Sequence, residues 1–312
     1  MLSGKIQLRK RKMQNALIYV FSGTGNTLLT ADMLGSHLES QGVKTTIYSI
    51  NTGGSPPPQD DFDCIGFGYP VYAYNMPEIF YRFVRDLPDA RDKKAFVFKT
   101  SGEPFRLNKV SSYKLLKMLE KKGYDVILEQ HLLMPYNILF RYPDGLSKQM
   151  YFYSDALCKM LSKRLLGGER DTFKFNSFYV FASWLLRFQW PGARLNGRLY
   201  SVNKKRCSKC MQCVKDCPEG NISFKDGRLR FGWRCNMCMR CAMFCPTDAI
   251  NIGLIPFFKI NKPYDFRRLL ADQSISANHV NPETKGYFRL FRKFFRRADC
   301  MLADHGIDLP VI

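Results

Sequence analysis

The sequence predicts a two-part architecture: a doubly wound α/β domain on a five-stranded parallel sheet, then a small α+β module dense in cysteine. Three observations carry this expectation. From residue 16 to about 132, short β-rich runs alternate with helix-length segments, the pattern of βαβ units with helices on both faces of a sheet. A loop of hydroxyl and glycine residues opens directly behind the first run, and eight of the eleven cysteines fall within residues 207–245 as one motif written twice.

In chain order the strands read ALIYVF, TTIYSI, FDCIGFGY, AFVFK and VILEQHLL, with helices expected at about Thr27–Gln41, Pro77–Asp86 and Lys109–Lys122. Met150, Tyr153, Ala156, Leu157, Met160 and Leu161 recur at helical spacing and predict another helix over 146–166, ended by Gly167 and Gly168. Strand order cannot be read from spacing, and 2-1-3-4-5 is taken by analogy with other doubly wound sheets. Four segments result: an α/β domain over 14–170, a basic connection over 171–199, the cysteine module over 200–255, and a basic tail over 256–312.

Hydrophobic residues make up 46% of the 312, which supports a packed core and excludes wholesale disorder. The formal charge is +21, of which 24 basic against 16 acidic residues fall in 1–170 and 24 against 11 in 171–312. Between Thr172 and Lys215 there is no acidic residue. The apolar run behind the basic start is six residues long, too short for a secretory core, and no later stretch approaches the ~20 apolar residues of a membrane span. A cytoplasmic, reducing location is expected, where clustered cysteines hold metal rather than each other. Cys64 and Cys158 fall in a predicted strand and helix as small core residues, and Cys300 is a free thiol.

Cys207, Cys210, Cys213 and Cys217 precede Pro218, and Cys235, Cys238, Cys241 and Cys245 precede Pro246, so C-x-x-C-x-x-C-x-x-x-C-P occurs twice. This is the bacterial two-cluster ferredoxin run, in which the fourth cysteine of each repeat reaches the other 4Fe-4S cluster. One cluster should take Cys207, Cys210, Cys213 and Cys245, the other Cys235, Cys238, Cys241 and Cys217. Paired C-x-x-C steps also bind zinc, but zinc does not explain a third cysteine at the same step and a duplicated Cys-Pro. Strand-like NISF and AINI follow the repeats.

The glycine loop reads Ser22, Gly23, Thr24, Gly25, Asn26, Thr27. Hydroxyls and accessible backbone N–H groups at a helix start suit an anion. No G-K-[ST] follows, so it is not a P-loop, and G-x-G-x-x-G is missing. Here the sequence resembles a flavodoxin, whose first FMN loop has this S-x-T-G-N-T shape. The resemblance implies FMN contacts from Ser22 to Thr27, from a second loop with Pro70, Tyr72, Tyr74 and Asn75, and from a third with Thr100, Ser101 and Gly102. Either Tyr72 or Tyr74 would stack on the flavin ring, ordinary core packing being the other reading of both. Trp184, Trp190 and Trp233 all lie outside this domain, unlike the ring-flanking tryptophans of many flavodoxins. The whole chain is similar to the bacterial and archaeal flavodoxin-ferredoxin fusion proteins, over about 14–132 and 200–252. The resemblance implies an α/β flavodoxin-like doubly wound parallel five-stranded sheet plus a small α+β two-4Fe-4S ferredoxin-like domain.

FMN and two 4Fe-4S clusters in one chain imply electron transfer, the flavin converting between two-electron and one-electron traffic. A relay to or from an acidic redox protein is the first reading. The second is a flavin-dependent reductase of a small organic or quinone substrate, its pocket shaped by Tyr72, Tyr74 and residues 133–145. His131 is the lone acid–base candidate and reads better as a packed histidine. Nucleic-acid binding is not expected, since no such motif accompanies the basicity. Residues 287–297, YFRLFRKFFRR, segregate Arg289, Arg292, Lys293, Arg296 and Arg297 from Phe288, Leu290, Phe291, Phe294 and Phe295. They predict an amphipathic helix that either docks on an anionic membrane or partner or covers the protein's own core.

Overall fold

Strand β1 (Asn15–Val20) turns Leu17 and Tyr19 to one face of the sheet and Ala16, Ile18 and Val20 to the other, all fully buried. A strand covered on both faces reads as an unbroken apolar run, which is why ALIYVF carries no polar alternation. The same holds for β3 (Cys64–Pro70) and β4 (Lys93–Ser101), while β2 (Lys44–Ser49) and β5 (Tyr124–Leu133) complete the sheet. The structure, a computed structural model, describes residues 13–51, 54–260 and 262–309. The basic stretch at the very start of the sequence, residues 1–12, lies outside the described residues.

All pairings in this sheet are parallel and the order is β2-β1-β3-β4-β5, the flavodoxin-like order with its switch point between β1 and β3. Helices α1 (Asn26–Glu39) and α4 (Asp144–Gly167) cover one face, α2 (Glu78–Asp86) and α3 (Tyr113–Lys121) the other. Gly168 takes the left-handed cap of α4, as the paired glycines predicted. The helix expected over 109–122 divides into a 3-10 segment, Arg106–Ser112, and α3. Ser111 and Ser112 donate back to the carbonyls of Asn108 and Lys109, at 2.8 and 3.1 Å, which holds the tighter turn.

After α4 come α5 (Ser177–Leu185), a 3-10 turn, and α6 (Gln189–Arg198). The cysteine module holds β6 (Ser201–Val202), α7 (Gln212–Lys215), β7 (Ile222–Lys225), β8 (Arg228–Phe231), α8 (Arg240–Met243) and β9 (Ile250–Asn251). β6 pairs with β9 and β7 with β8, both antiparallel.

The segment expected as a tail folds back onto the first domain. It forms α9 (Phe266–Ala271), a 3-10 turn over Gly286–Phe291, and α10 (Arg292–Ala303). Phe291, Phe295, Ala298 and Leu302 form a buried stripe in the core cluster shared with α4. The helix predicted over 287–297 therefore starts later and runs longer, and its phenylalanines lie against the protein's own core. Apolar periodicity shows that a helix has a buried face, but not what buries it.

Candidate functional site

The three loops that leave β1, β3 and β4 meet on one side of the sheet. In the first, Gly25 N donates to Ser22 Oγ at 3.1 Å and Gly25 takes a φ of 110°, which turns the chain into α1. The first backbone N–H groups of α1 have no acceptor inside the helix, as at every helix start. Thr27 Oγ1 lies 2.7 Å from Thr100 Oγ1 of the third loop, and Asn26 Nδ2 donates to the Pro135 carbonyl at 2.9 Å. Asn137 Nδ2 donates to Thr24 Oγ1.

In the second loop Tyr72 and Asn75 exchange backbone hydrogen bonds of 2.8 and 2.9 Å around Ala73 and Tyr74, whose φ values are 41° and 62°. Two successive left-handed residues define a type I′ turn, a costly conformation for residues other than glycine, asparagine and aspartate. Asn75 holds the turn from below: its Nδ2 donates to the Ser183 carbonyl and its Oδ1 accepts from Ser183 Oγ, both at 3.0 Å.

A cavity of about 700 Å³ lies among the three loops. Of the residues expected to hold a cofactor, Ser22, Gly23, Thr24, Asn26, Thr27, Pro70, Tyr72, Tyr74, Thr100, Ser101 and Gly102 are on its wall. Gly25 and Asn75 are not: the one shapes the turn and the other anchors α5. Residues 134–138, part of the 133–145 segment, close one side; residues 133 and 139–145 are not on the wall. The sequence reading did not foresee Phe188, Gln189 and Leu195 from α6 and its approach, or Leu254 and Phe258 beyond β9. The acid-free, aromatic composition of 172–199 was the available signal.

Glu103 also lines the cavity and accepts a hydrogen bond from Tyr287 at 3.1 Å. Burial raises its carboxyl above the usual range against the opposing hydrogen bonds from Tyr287 and Tyr136. Behind the third loop His131 is buried, its Nε2 2.7 Å from Ser101 Oγ. Ser101 Oγ itself donates to the Glu103 carbonyl at 2.7 Å, so His131 Nε2 is the donor to Ser101. Burial first, then Lys99 and Lys109, push the imidazole down to about 3. It is a neutral positioning group for the loop, the packed histidine of the blander reading.

An orphan marks the cavity wall. Asn137 Oδ1 is buried without a partner next to Thr24, an acceptor that a hydroxyl or N–H of a bound molecule would satisfy. Together with the hydroxyl and glycine loop, this donor and acceptor set fits a phosphorylated, hydroxylated ligand such as FMN.

The two cysteine repeats have the same conformation 28 residues apart. Lys209 and Met211 in the first and Met237 and Met239 in the second are all left-handed, as are Gly220 and Asp248 behind the Cys-Pro pairs. Asn221 N donates to Cys217 Sγ at 3.3 Å and Ala249 N to Cys245 Sγ at 3.2 Å, again at matching positions. One small cavity is lined by Cys207, Cys210, Cys213 and Cys245, another by Cys217, Cys235, Cys238 and Cys241. The fourth cysteine of each repeat thus faces the other repeat's cavity. Among the described residues no three of His, Cys, Asp and Glu gather as around a single metal ion. Cys64 and Cys158 are fully buried and Cys300 is exposed.

The large cavity and the second cysteine cavity share Asn236, Cys238 and Met239. Arg240 Nη1 donates to the Gly23 carbonyl at 3.3 Å, tying the first loop to the second repeat. On the other side Asn196 Nδ2 donates to the Ile252 carbonyl at 3.0 Å and its Oδ1 accepts from Leu254 N at 2.7 Å, which sets α6 against the module.

No protein-family model matches the chain. An uncharacterized protein of Methanocaldococcus jannaschii is 34% identical over 87 residues, which span 28% of this chain and 56% of that protein. The chain thus matches little more than half the length of this curated relative. Among solved structures it is similar to oxidised flavodoxin 1 from Bacillus cereus, at 18% identity over 49% of this chain and 97% of that one, with a TM-score of 0.39. It is also similar to a flavodoxin from the domain Archaea, at 18% identity over 50% and 97%, with a TM-score of 0.34.

Proposed function

We propose that this chain is an electron-transfer flavoprotein that holds FMN in the large cavity and a 4Fe-4S cluster in each cysteine cavity. The observation that carries the reading is the crossed grouping of the cysteines, four from two repeats around each cavity, with Cys238 common to the second of them and to the large cavity. Bound there, the flavin supplies two-electron chemistry and the clusters one-electron steps. The chain's own groups do the rest. Ser22, Thr24 and the start of α1 take the phosphate, Asn137 accepts from the ligand, and the hydrogen bond from Arg240 to the Gly23 carbonyl keeps the two cavities adjacent.

The cavity around Cys207, Cys210, Cys213 and Cys245 is the outer one, with Cys210 exposed. Lys204, Lys205, Lys209 and Lys215 stand exposed near it, and none of them forms an ion pair among the described residues. Their charge suits an acidic redox protein as the electron partner. A second reading, reduction of a small apolar or quinone substrate beside the flavin, is favoured by the cavity wall of Phe188, Leu195, Leu254 and Phe258, with Glu103 facing the same space.

Anaerobically prepared full-length protein should carry about eight irons and eight acid-labile sulfides, with one FMN. Two zincs without sulfide would overturn the cluster reading, and failure to bind FMN on titration would overturn the flavin reading. Turnover with quinones under the same conditions separates relay from reductase. No helix among the described residues is long and apolar enough to cross a membrane.

A further inference from the structure

Helix α5 is amphipathic the wrong way round for a helix packed on its own protein. Its buried residue is polar: Ser183 Oγ donates to Asn75 Oδ1 at 3.0 Å and to the Tyr74 carbonyl at 3.2 Å. Its opposite face carries Phe178, Phe181, Trp184 and Leu185, and the stripe continues into Phe188. The spacing of 178, 181, 185 and 188 keeps these side chains on one side of the helical path. Phe178 is 71% and Phe188 70% exposed, so most of each of these large aromatics is in water. Leu195 of α6 and Leu254 and Phe257 beyond β9 are exposed too. Asn196 binds Leu254 N, so the two stretches adjoin. Apolar surface gathered in this way marks a docking face.

No acidic residue occurs in the sequence from Thr172 to Lys215, and Lys174, Arg194 and Arg198 are exposed. Arg194 is paired with Glu78 of α2, which leaves Lys174 and Arg198, of these three, without an ion pair among the described residues. Exposed aromatics beside the exposed cations Lys174 and Arg198 match a bilayer whose headgroups are anionic and whose acyl boundary takes the rings. α5 is nine residues long, about 13 Å, far short of the ~30 Å a span would need, so it would lie in the interface. The basic segment over 287–297 cannot play this part, since Phe291 at the end of its 3-10 turn and Phe295 of α10 are buried in the core.

We propose that α5, the turn after it and α6 dock this protein peripherally on an anionic lipid surface, by Phe178, Phe181, Trp184, Leu185 and Phe188. The inference does not depend on the cofactor reading. Phe188, Leu195 and Leu254 also line the large cavity, so the docked face is the one through which an apolar molecule would pass between bilayer and cavity.

The test is sedimentation of the full-length holoprotein with vesicles of phosphatidylcholine alone or mixed with phosphatidylglycerol, at low and high salt. The expected result is pelleting with the anionic vesicles at low salt and weaker pelleting at high salt. The combined Phe178→Ser, Phe181→Ser, Phe188→Ser variant should lose affinity about tenfold or more, while Arg292→Gln with Arg296→Gln on α10 should retain it. A second measurement needs only one mild change: brominated lipid should quench tryptophan emission in the wild type, and Trp184→Phe should remove most of that quenching. No pelleting at low salt would overturn the proposal, as would pelleting abolished by the α10 variant or no quenching of Trp184. A dimer that the triple variant dissolves would assign this face to a second copy instead, and would also overturn it.

Discussion

A Cβ on Gly23 would stand 2.5 Å from the carbonyl oxygen of Cys238 and 2.5 Å from Tyr72 Oη. The first loop therefore meets the second cysteine repeat backbone to backbone. Gly23→Ala cannot be absorbed by a flexible side chain, because one of the atoms in the way is main chain. It should separate the loop from the repeat at a cost of about 1 to 3 kcal/mol, seen as a lower denaturation midpoint. Electron exchange between iron-sulfur and flavin absorbance bands in stopped flow should slow, with iron content unchanged. An alanine variant with wild-type stability and rates would mean that the two cavities do not depend on this contact.

Cys245 belongs to the second repeat but lines the cavity of the first. Cys245→Ser should therefore reduce iron from about eight to about four per chain and spare the cluster around Cys235, Cys238 and Cys241. Cys217→Ser should do the reverse. Iron analysis with electron paramagnetic resonance distinguishes the two, and a Cys245 variant that loses the cluster of its own repeat would refute the crossing.

Thr24 Oγ1 is held by Asn137 at the mouth of α1. Thr24→Glu would set a carboxylate where a phosphate is expected and should weaken FMN binding by about 100-fold or more. Thr24→Ser should stay near wild type in the same flavin fluorescence titration.

The loops and cysteines were legible because their chemistry depends on local order: residues 22–27 open a helix straight after a buried strand, and the first three cysteines of each repeat line one cavity. Long-range closure was not legible. Lys99 ends AFVFK as an apparent surface charge, yet it is fully buried, donating to the Lys109 carbonyl at 2.6 Å and to Ser112 Oγ and Glu129 Oε1 at 2.8 Å. Nothing near position 99 announces Glu129, thirty residues on. Asn75 looked like a ligand-loop residue for its type and place, and a helix a hundred residues later claims both ends of its amide. Among the described residues, the stretch from 256 to 285 contains a 3-10 turn, Pro256–Phe258, and one short α-helix, α9, so no periodicity signalled that the chain returns to the first domain.

His131 links the fold to pH. Its ordinary value is 6.5 and burial pushes it to about 3, so between these values the unfolded chain binds a proton that the folded one does not. Stability is present in full above about pH 6.5 and falls as pH drops toward 3, by ~1.4 kcal/mol per unit from this group. His131→Gln, which retains a donor for Ser101, should flatten that part of the profile. Denaturation midpoints at pH 5 and 7 for both proteins provide the check, and equal slopes would mean that the imidazole is protonated in the fold.

The end of the chain offers a sharper contrast between two uses of phenylalanine. Phe295 is buried with its ring centroid 4.5 Å from that of Tyr153, whose hydroxyl donates to Asp299 at 2.6 Å one turn further along α10. Phe295→Ala should cost about 3 to 5 kcal/mol, because ring contacts are lost and a cavity remains between α10 and α4. Lys293, exposed on the same helix, should change stability by less than about 0.5 kcal/mol when replaced by alanine. For Phe178, in water at the start of α5, replacement by serine should leave the midpoint nearly unchanged in the absence of lipid. Chemical denaturation of the three variants orders them. If Phe178→Ser destabilises as much as Phe295→Ala, the α5 stripe is covered by the protein itself; if neither does, α10 is not part of the core.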